Sequence, residues 1–174
     1  MTKRHLPPVE NDLVILRLLQ KEDLPLTLAW RNQDEIRRWF LTTDVIEVEK
    51  HSAWYDRYQN LDNDFIFVIQ SKQLANLPVG QISIYAIDWD ARVGEYGRLM
   101  IGEPLAKGKG LAKSASQLLL GVGFGVLGLE RIVLEVKKNN IAAISLYQHL
   151  GFVQTETQND LILMEQKREN SNKK

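Results

Sequence analysis

Cysteine is absent from this chain, which removes disulfides, thiolate metal sites and any cysteine-bound intermediate from consideration. Histidine is nearly as scarce: His5, His51 and His149 lie far apart, and none stands in a metal-ligand spacing such as H-E-x-x-H. No metal is expected. Charge of one sign is not in excess either, since 22 Lys and Arg oppose 22 Asp and Glu. No global field therefore draws the protein to nucleic acid or to an anionic membrane. The longest uncharged run, Ser114 to Leu129, falls short of the ~20 apolar residues that a membrane span needs. Met1 to Pro8 lacks the apolar core of a signal peptide. A cytoplasmic protein without nucleic-acid or membrane partners is the expectation.

What is present is a chain of 174 residues with 44% apolar content, enough to bury one sizeable core. The pattern predicts one domain over residues 11–166, a flexible N-terminus over 1–10 and a disordered polar tail over 167–174. Asp12 to Leu18, Asp64 to Gln70, Val79 to Ile87, Gly94 to Ile101, Arg131 to Lys137 and Leu161 to Glu165 read as strands. Helical patterns cover Lys21 to Arg31, Val48 to Tyr58 and the stretch from Gly110, which places Leu111, Ala115, Leu118, Leu119 and Val122 on one face. A last helix follows Asn140, a plausible N-cap. Strands interrupted by helices imply an α/β (α+β) fold, a mixed sheet with helices on both faces.

Lys107-Gly108-Lys109-Gly110-Leu111-Ala112 is the stretch with the most chemistry in it. A helix start leaves backbone N–H groups unpaired and carries the positive end of the macrodipole, and glycines at 108 and 110 let the backbone approach phosphate oxygens closely. Lys107, Lys109 and Lys113 add a local basic patch. A second fingerprint, Gly123-Phe124-Gly125-Val126-Leu127-Gly128, matches the dinucleotide motif G-x-G-x-x-G. It trails a helical pattern and leads into a strand, the reverse of what that motif requires, so a Rossmann reading is rejected. The glycines there imply either an early helix end or close backbone packing.

The loop is followed by Asn140-Ile141-Ala142-Ala143-Ile144-Ser145-Leu146-Tyr147, closed by Leu150-Gly151-Phe152. Together the two blocks resemble the GNAT superfamily of acetyl-CoA-dependent N-acetyltransferases, whose cofactor loop reads Q/R-x-x-G-x-G/A and whose later helix reads N-x-x-A-x-x-L-Y-x-x-x-G-F. Lys107 departs from the first pattern: it keeps the charge but lacks the planar fork of arginine. The resemblance covers residues 64–166 well and the first sixty loosely. It implies a mostly antiparallel sheet of about seven strands, acetyl-CoA as cosubstrate, and direct transfer to a primary amine.

The resemblance also implies roles. Backbone groups from Lys107 to Ala112 (Lys107, Gly108, Lys109, Gly110, Leu111, Ala112) bind the pyrophosphate, Met100 and Ile101 offer backbone N–H groups to the pantetheine arm and the thioester carbonyl, and Asn140 bonds the coenzyme. Tyr147 is the expected proton or hydrogen-bond donor to the departing thiolate, because a phenol of pKa ~10 can serve a thiol of pKa ~8.5. Glu95 is the candidate base for the incoming ammonium, with Glu103 and His51 behind it. Arg31 and Trp54, in Trp30-Arg31-Asn32 and His51-Ser52-Ala53-Trp54-Tyr55, are expected at the acceptor. That pattern resembles the branch acetylating amino sugars on nucleotide carriers. The alternatives are N-terminal acetylation of a ribosomal or other protein, and an acetyl-CoA-binding module without catalysis. A homodimer stays open.

Overall fold

The computed structural model describes residues 2–170. Its centre is Phe65–Ser71, the third strand (β3), whose unbroken apolar run is explained by burial on both faces. Phe65, Phe67 and Ile69 point into one core, while Ile66 and Val68 join Leu19, Tyr55 and Tyr58 in a smaller one on the other side. Around it stand β1 (Val9–Glu10), β2 (Val14–Leu18), β4 (Leu77–Asp88), β5 (Val93–Ile101), β6 (Arg131–Lys137), β7 (Val153–Gln158) and β8 (Leu161–Lys167). They form one eight-stranded sheet in the order β1-β2-β3-β4-β5-β6-β8-β7, in which β5 and β6 are parallel and the other neighbours antiparallel. Two of its strands, β1 and β7, were not expected.

Helices cover both faces. On the side of the small core lie α1 (Leu24–Arg31) and α3 (Val48–Tyr58), with the short α2 (Asp34–Arg37) between them in sequence. The other face carries α4 (Leu111–Gly121), which buries Leu111, Ala115 and Leu119 as its spacing predicts, and α5 (Ile141–His149). After Gly121 the helix widens into a π-helical turn, Val122–Val126, instead of stopping. Gly123 explains why glycine is placed there: a Cβ would lie 2.7 Å from Ile132 Cδ1 and 2.9 Å from Ile84 Cδ1. Close packing on the sheet accounts for the first glycine of the fingerprint, and a left-handed φ of 68° for the last, Gly128.

Both ends of the described chain make contacts with the fold. In the N-terminal segment Leu6 enters the main core, the Lys3 ammonium donates to the Asp64 carbonyl, and Arg4 pairs with Asp62 at 2.8 Å. Its short apolar content hid this, because only one side chain carries the burial. At the other end Lys167 closes β8 and the Arg168 N–H donates to the Glu130 carbonyl at 2.8 Å. Residues 171–174 of the expected tail lie outside the described residues.

Candidate active site

Parallel pairing of β5 with β6 covers only Val93↔Arg131, Gly94↔Ile132 and Glu95↔Val133. Beyond Glu95 the strands part, β5 staying with β4 as far as Ile101 and β6 staying with β8 as far as Lys137. A bulge accompanies the parting. Ser83 opposes Gly97 and Gln81 opposes Met100, so Arg98 and Leu99 together face Ile82 alone, and Arg98 takes a left-handed φ of 53°. Past the bulge the Gly102 N–H donates to the Val79 carbonyl of β4 at 2.8 Å. Successive N–H groups of a strand point to opposite edges, so that of Ile101 faces the open side.

The gap is a cavity of about 460 Å³, lined among others by Tyr85, Glu95, Met100, Glu135, Asn140 and Tyr147. Tyr147 sits on α5 with its ring edge-on to Tyr96, 5.4 Å between centroids, and 6.1 Å from Phe152. Burial alone pushes its phenol up to about 12. The Asn140 side chain caps α5, accepting from the Ala143 N–H at 3.3 Å, and so fixes the helix that carries Tyr147. Glu95 is half-buried, and burial pushes its carboxyl above the ordinary value. Glu135 pushes the same way, while the Tyr85 hydroxyl and Arg98 pull against both.

Of the expected residues, Met100, Asn140, Glu95, Tyr147 and Arg31 are brought to one cavity. The loop from Lys107 to Ala112 lies outside that lining. Gly108 and Gly110 both take φ of 73°, and Gly110 is the N-cap of α4. The first helical bond runs from the Ser114 N–H to the Gly110 carbonyl, which leaves the amides from Gly110 to Lys113 without a helical acceptor. Lys107 is turned to partners within the chain. Its N–H is taken by the Pro104 carbonyl at 3.3 Å, because the turn Pro104–Ala106 closes on it, and its ammonium pairs with Glu35 at 3.1 Å. The exposed pair ties the loop to α2, since Glu35 lines the cavity. The bond to Pro104 removes the Lys107 N–H from the loop amides free to meet a ligand.

Arg31 and Trp54 lie on a second cavity, of about 410 Å³, which meets the first at Arg31, Phe40, Thr42 and Arg98. Trp54 is stacked between His51 and Tyr58, at 5.1 and 5.3 Å between ring centroids. The Arg31 guanidinium donates to the Thr42 carbonyl and lies 4.0 Å from the Phe40 ring centre. Trp30, by contrast, is core, packed so closely on Gly102 that a Cβ there would fall 2.0 Å from the indole. The two lesser base candidates are placed elsewhere. Glu103 is used as a cap, accepting from the Leu105 N–H, and His51 lines only the second cavity, where burial lowers its pKa.

The reading from residues missed Tyr85 and Phe40. Tyr85 stands on the neighbouring strand across two register shifts, and Phe40 lies in a segment without a periodic pattern. Among the described residues no three His, Cys, Asp or Glu are grouped to hold a metal ion, and no helix is long and apolar enough to cross a membrane.

A family description of an acetyltransferase (GNAT) domain matches residues 14–153. The chain is 30% identical over 139 residues to spermidine N(1)-acetyltransferase of Escherichia coli K12, covering 80% of this chain and 72% of the relative. In fold it is similar to spermidine N-acetyltransferase from Vibrio cholerae in complex with CoA and spermine, with a TM-score of 0.81 and 24% identity over 90% of this chain and 96% of the other. The apo form of FdhC, a nucleotide-linked sugar GNAT, gives a TM-score of 0.80 at 20% identity, covering 95% and 91%. The parted strands and the glycine loop ahead of α4 are thus seen in a protein whose sequence carries the same lineage: the chain belongs to the GNAT superfamily and is an acetyl-CoA-dependent N-acetyltransferase.

Proposed function

We propose that the acceptor is the primary amine of an amino sugar, free or carried on a nucleotide, and that it enters through the second cavity. The observation behind this is the lining of that cavity: Arg31, Lys50, Arg57 and Arg98 with Trp54 and Thr27, and no carboxylate. A polycation needs carboxylates to replace its water, whereas sugar hydroxyls and anionic carriers are met by such donors. The second reading is a polyamine, favoured by the 30% identity to a spermidine acetyltransferase and by Glu35, Glu95 and Glu135 in the first cavity. Free-thiol release from acetyl-CoA, measured against amino sugars, sugar nucleotides, polyamines and N-terminal peptides, tests both. Turnover of spermidine ahead of every sugar would replace the first reading with the second.

Acetyl-CoA supplies an acyl group activated as a thioester. The residues do the rest. Amides from Gly108 to Ala112 hold the pyrophosphate, their charge attraction strengthened by the α4 dipole. The N–H of Ile101, on the edge that β6 leaves open, bonds the carbonyl oxygen where negative charge develops. Glu95 accepts the proton that the ammonium must lose before nitrogen attacks the carbonyl carbon, and its raised pKa makes it a stronger base than an exposed carboxylate. As the carbon–sulfur bond breaks, Tyr147 donates a hydrogen bond and then its proton to sulfur. The phenol is fully protonated at working pH, and the apolar surroundings that raise its pKa raise that of the thiol too.

A homodimer is part of the same proposal. β7 ends the sheet with all six residues exposed, a free edge that a second copy can pair with. Sedimentation at micromolar concentration, with a proline placed at Thr155, tests it: a dimer that persists unchanged would move the interface elsewhere.

A further inference from the structure

Two of the four buried side-chain polar atoms without a hydrogen-bond partner among the described residues, Arg31 Nη1 and His51 Nε2, belong to side chains that line the second cavity. Arg31 is 8% exposed and forms no ion pair among the described residues. Its other terminal nitrogen is satisfied only by the Thr42 carbonyl, 2.5 Å away. A guanidinium stays charged under any working condition, and a buried charge without a counter-charge is costly unless something supplies one. Lys50, Trp54 and Arg57 recur at helical spacing along one face of α3, so the two cations reach the same cavity, and neither forms an ion pair among the described residues. Arg98, the fourth cation, is neutralised by Asp64 at 2.8 Å.

We infer that the second cavity is a phosphate subsite of the acceptor: the amine-bearing substrate carries a phosphate ester, which Arg31 receives from within and Lys50 and Arg57 from the rim. This rests on the reading of the second cavity as the acceptor pocket of the acetyltransferase. A planar, buried donor suits the paired oxygens of a phosphate, while two exposed cations add attraction without fixing geometry. Because the cavities meet at Arg31, Phe40, Thr42 and Arg98, a substrate anchored by its phosphate in one reaches Glu95 with its amine in the other. A phosphomonoester and a nucleoside diphosphate carrier share this chemistry.

The test compares one amino sugar in three forms, free, as its 1-phosphate and linked to a nucleoside diphosphate, with spermidine as the cationic control. A kcat/KM at least about 100-fold higher for either phosphorylated form is expected, with KM rising with salt more steeply for that form than for the free sugar. Preference for the 1-phosphate or for the nucleotide-linked form identifies the source, and both support the subsite. Arg31→Met should raise the KM of the phosphorylated acceptor at least about 10-fold, leaving the KM of acetyl-CoA in place, and Arg31→Lys should recover part of it. Should Arg31→Met not fold, Lys50→Gln with Arg57→Gln, both at exposed positions, carries the same expectation. Calorimetry of a nucleoside diphosphate against the CoA-loaded protein gives a readout apart from turnover, with binding weakened in that double variant. Equal turnover of the free sugar, or an unchanged KM in the double variant, overturns the subsite but leaves the acetyltransferase standing. Failure of the protein to bind acetyl-CoA at all overturns both.

Discussion

Tyr85 stands directly across the β4–β5 ladder from Glu95. The pair places a phenol and a carboxylate side by side at the point where β5 loses β6, and the carboxylate, its pKa raised by burial, lines the cavity.

Glu95→Gln should lower kcat by about 100-fold or more, the usual scale for a lost general base, with acetyl-CoA affinity unchanged. The wild-type rate should fall as pH drops through the Glu95 pKa, a limb lying above the ordinary carboxylate range, and the variant should lose that limb. The sign for stability is opposite. A carboxyl whose pKa rises on folding costs stability once ionised, so the wild type loses stability as pH rises through it and Glu95→Gln does not. The variant should melt higher at pH 7 and level with the wild type at acid pH, read by circular dichroism.

Tyr147→Phe keeps the ring packed between Tyr96 and Phe152 and removes only the hydroxyl. Turnover should fall about 10-fold or more with melting temperature nearly unchanged. Full turnover in this variant would end the donor role.

Gly110→Val forces a β-branched side chain into φ of 73°, at a cost of about 1–2 kcal/mol in backbone strain. Nothing lies within 4 Å of the added Cβ, so the loss should come from conformation. Acetyl-CoA affinity should collapse in calorimetry, whereas Lys107→Met, which breaks only an exposed pair, should shift it by less than about 1 kcal/mol.

Deleting residues 2–8 should destabilise the fold by about 2–3 kcal/mol, mainly through burial lost at Leu6, with the Arg4–Asp62 pair adding little. Urea titration reads this directly. A truncated chain as stable as the full one would show that the terminus adds nothing to the fold.

How much was legible varies with what carries the signal. The bounds of α3 and β6 are those the pattern predicts, because each has one buried and one solvated side. β7 escaped notice since none of its six residues is buried and an all-polar strand has no alternation to read. In the site, Tyr147 and Asn140 are visible because a local motif holds them. The meeting of Glu95 with Tyr85 is not, since register shifts at Gln81/Ser83 and Tyr85/Asp88 break the arithmetic that pairs the strands. The turned Lys107 depends on Glu35, distant in sequence, and no spacing rule connects them.

The parting of β5 from β6 leaves two facing rows of amide and carbonyl groups with no strand between them. Such rows are an unfinished ladder, and an extended ligand with amides of its own can complete it as an added strand would. Occupancy should then travel as rigidity: amide hydrogens of residues 99–101 and 134–137 should exchange more slowly once acetyl-CoA is bound, making the ligand a removable part of the sheet that stiffens the enzyme while it is seated.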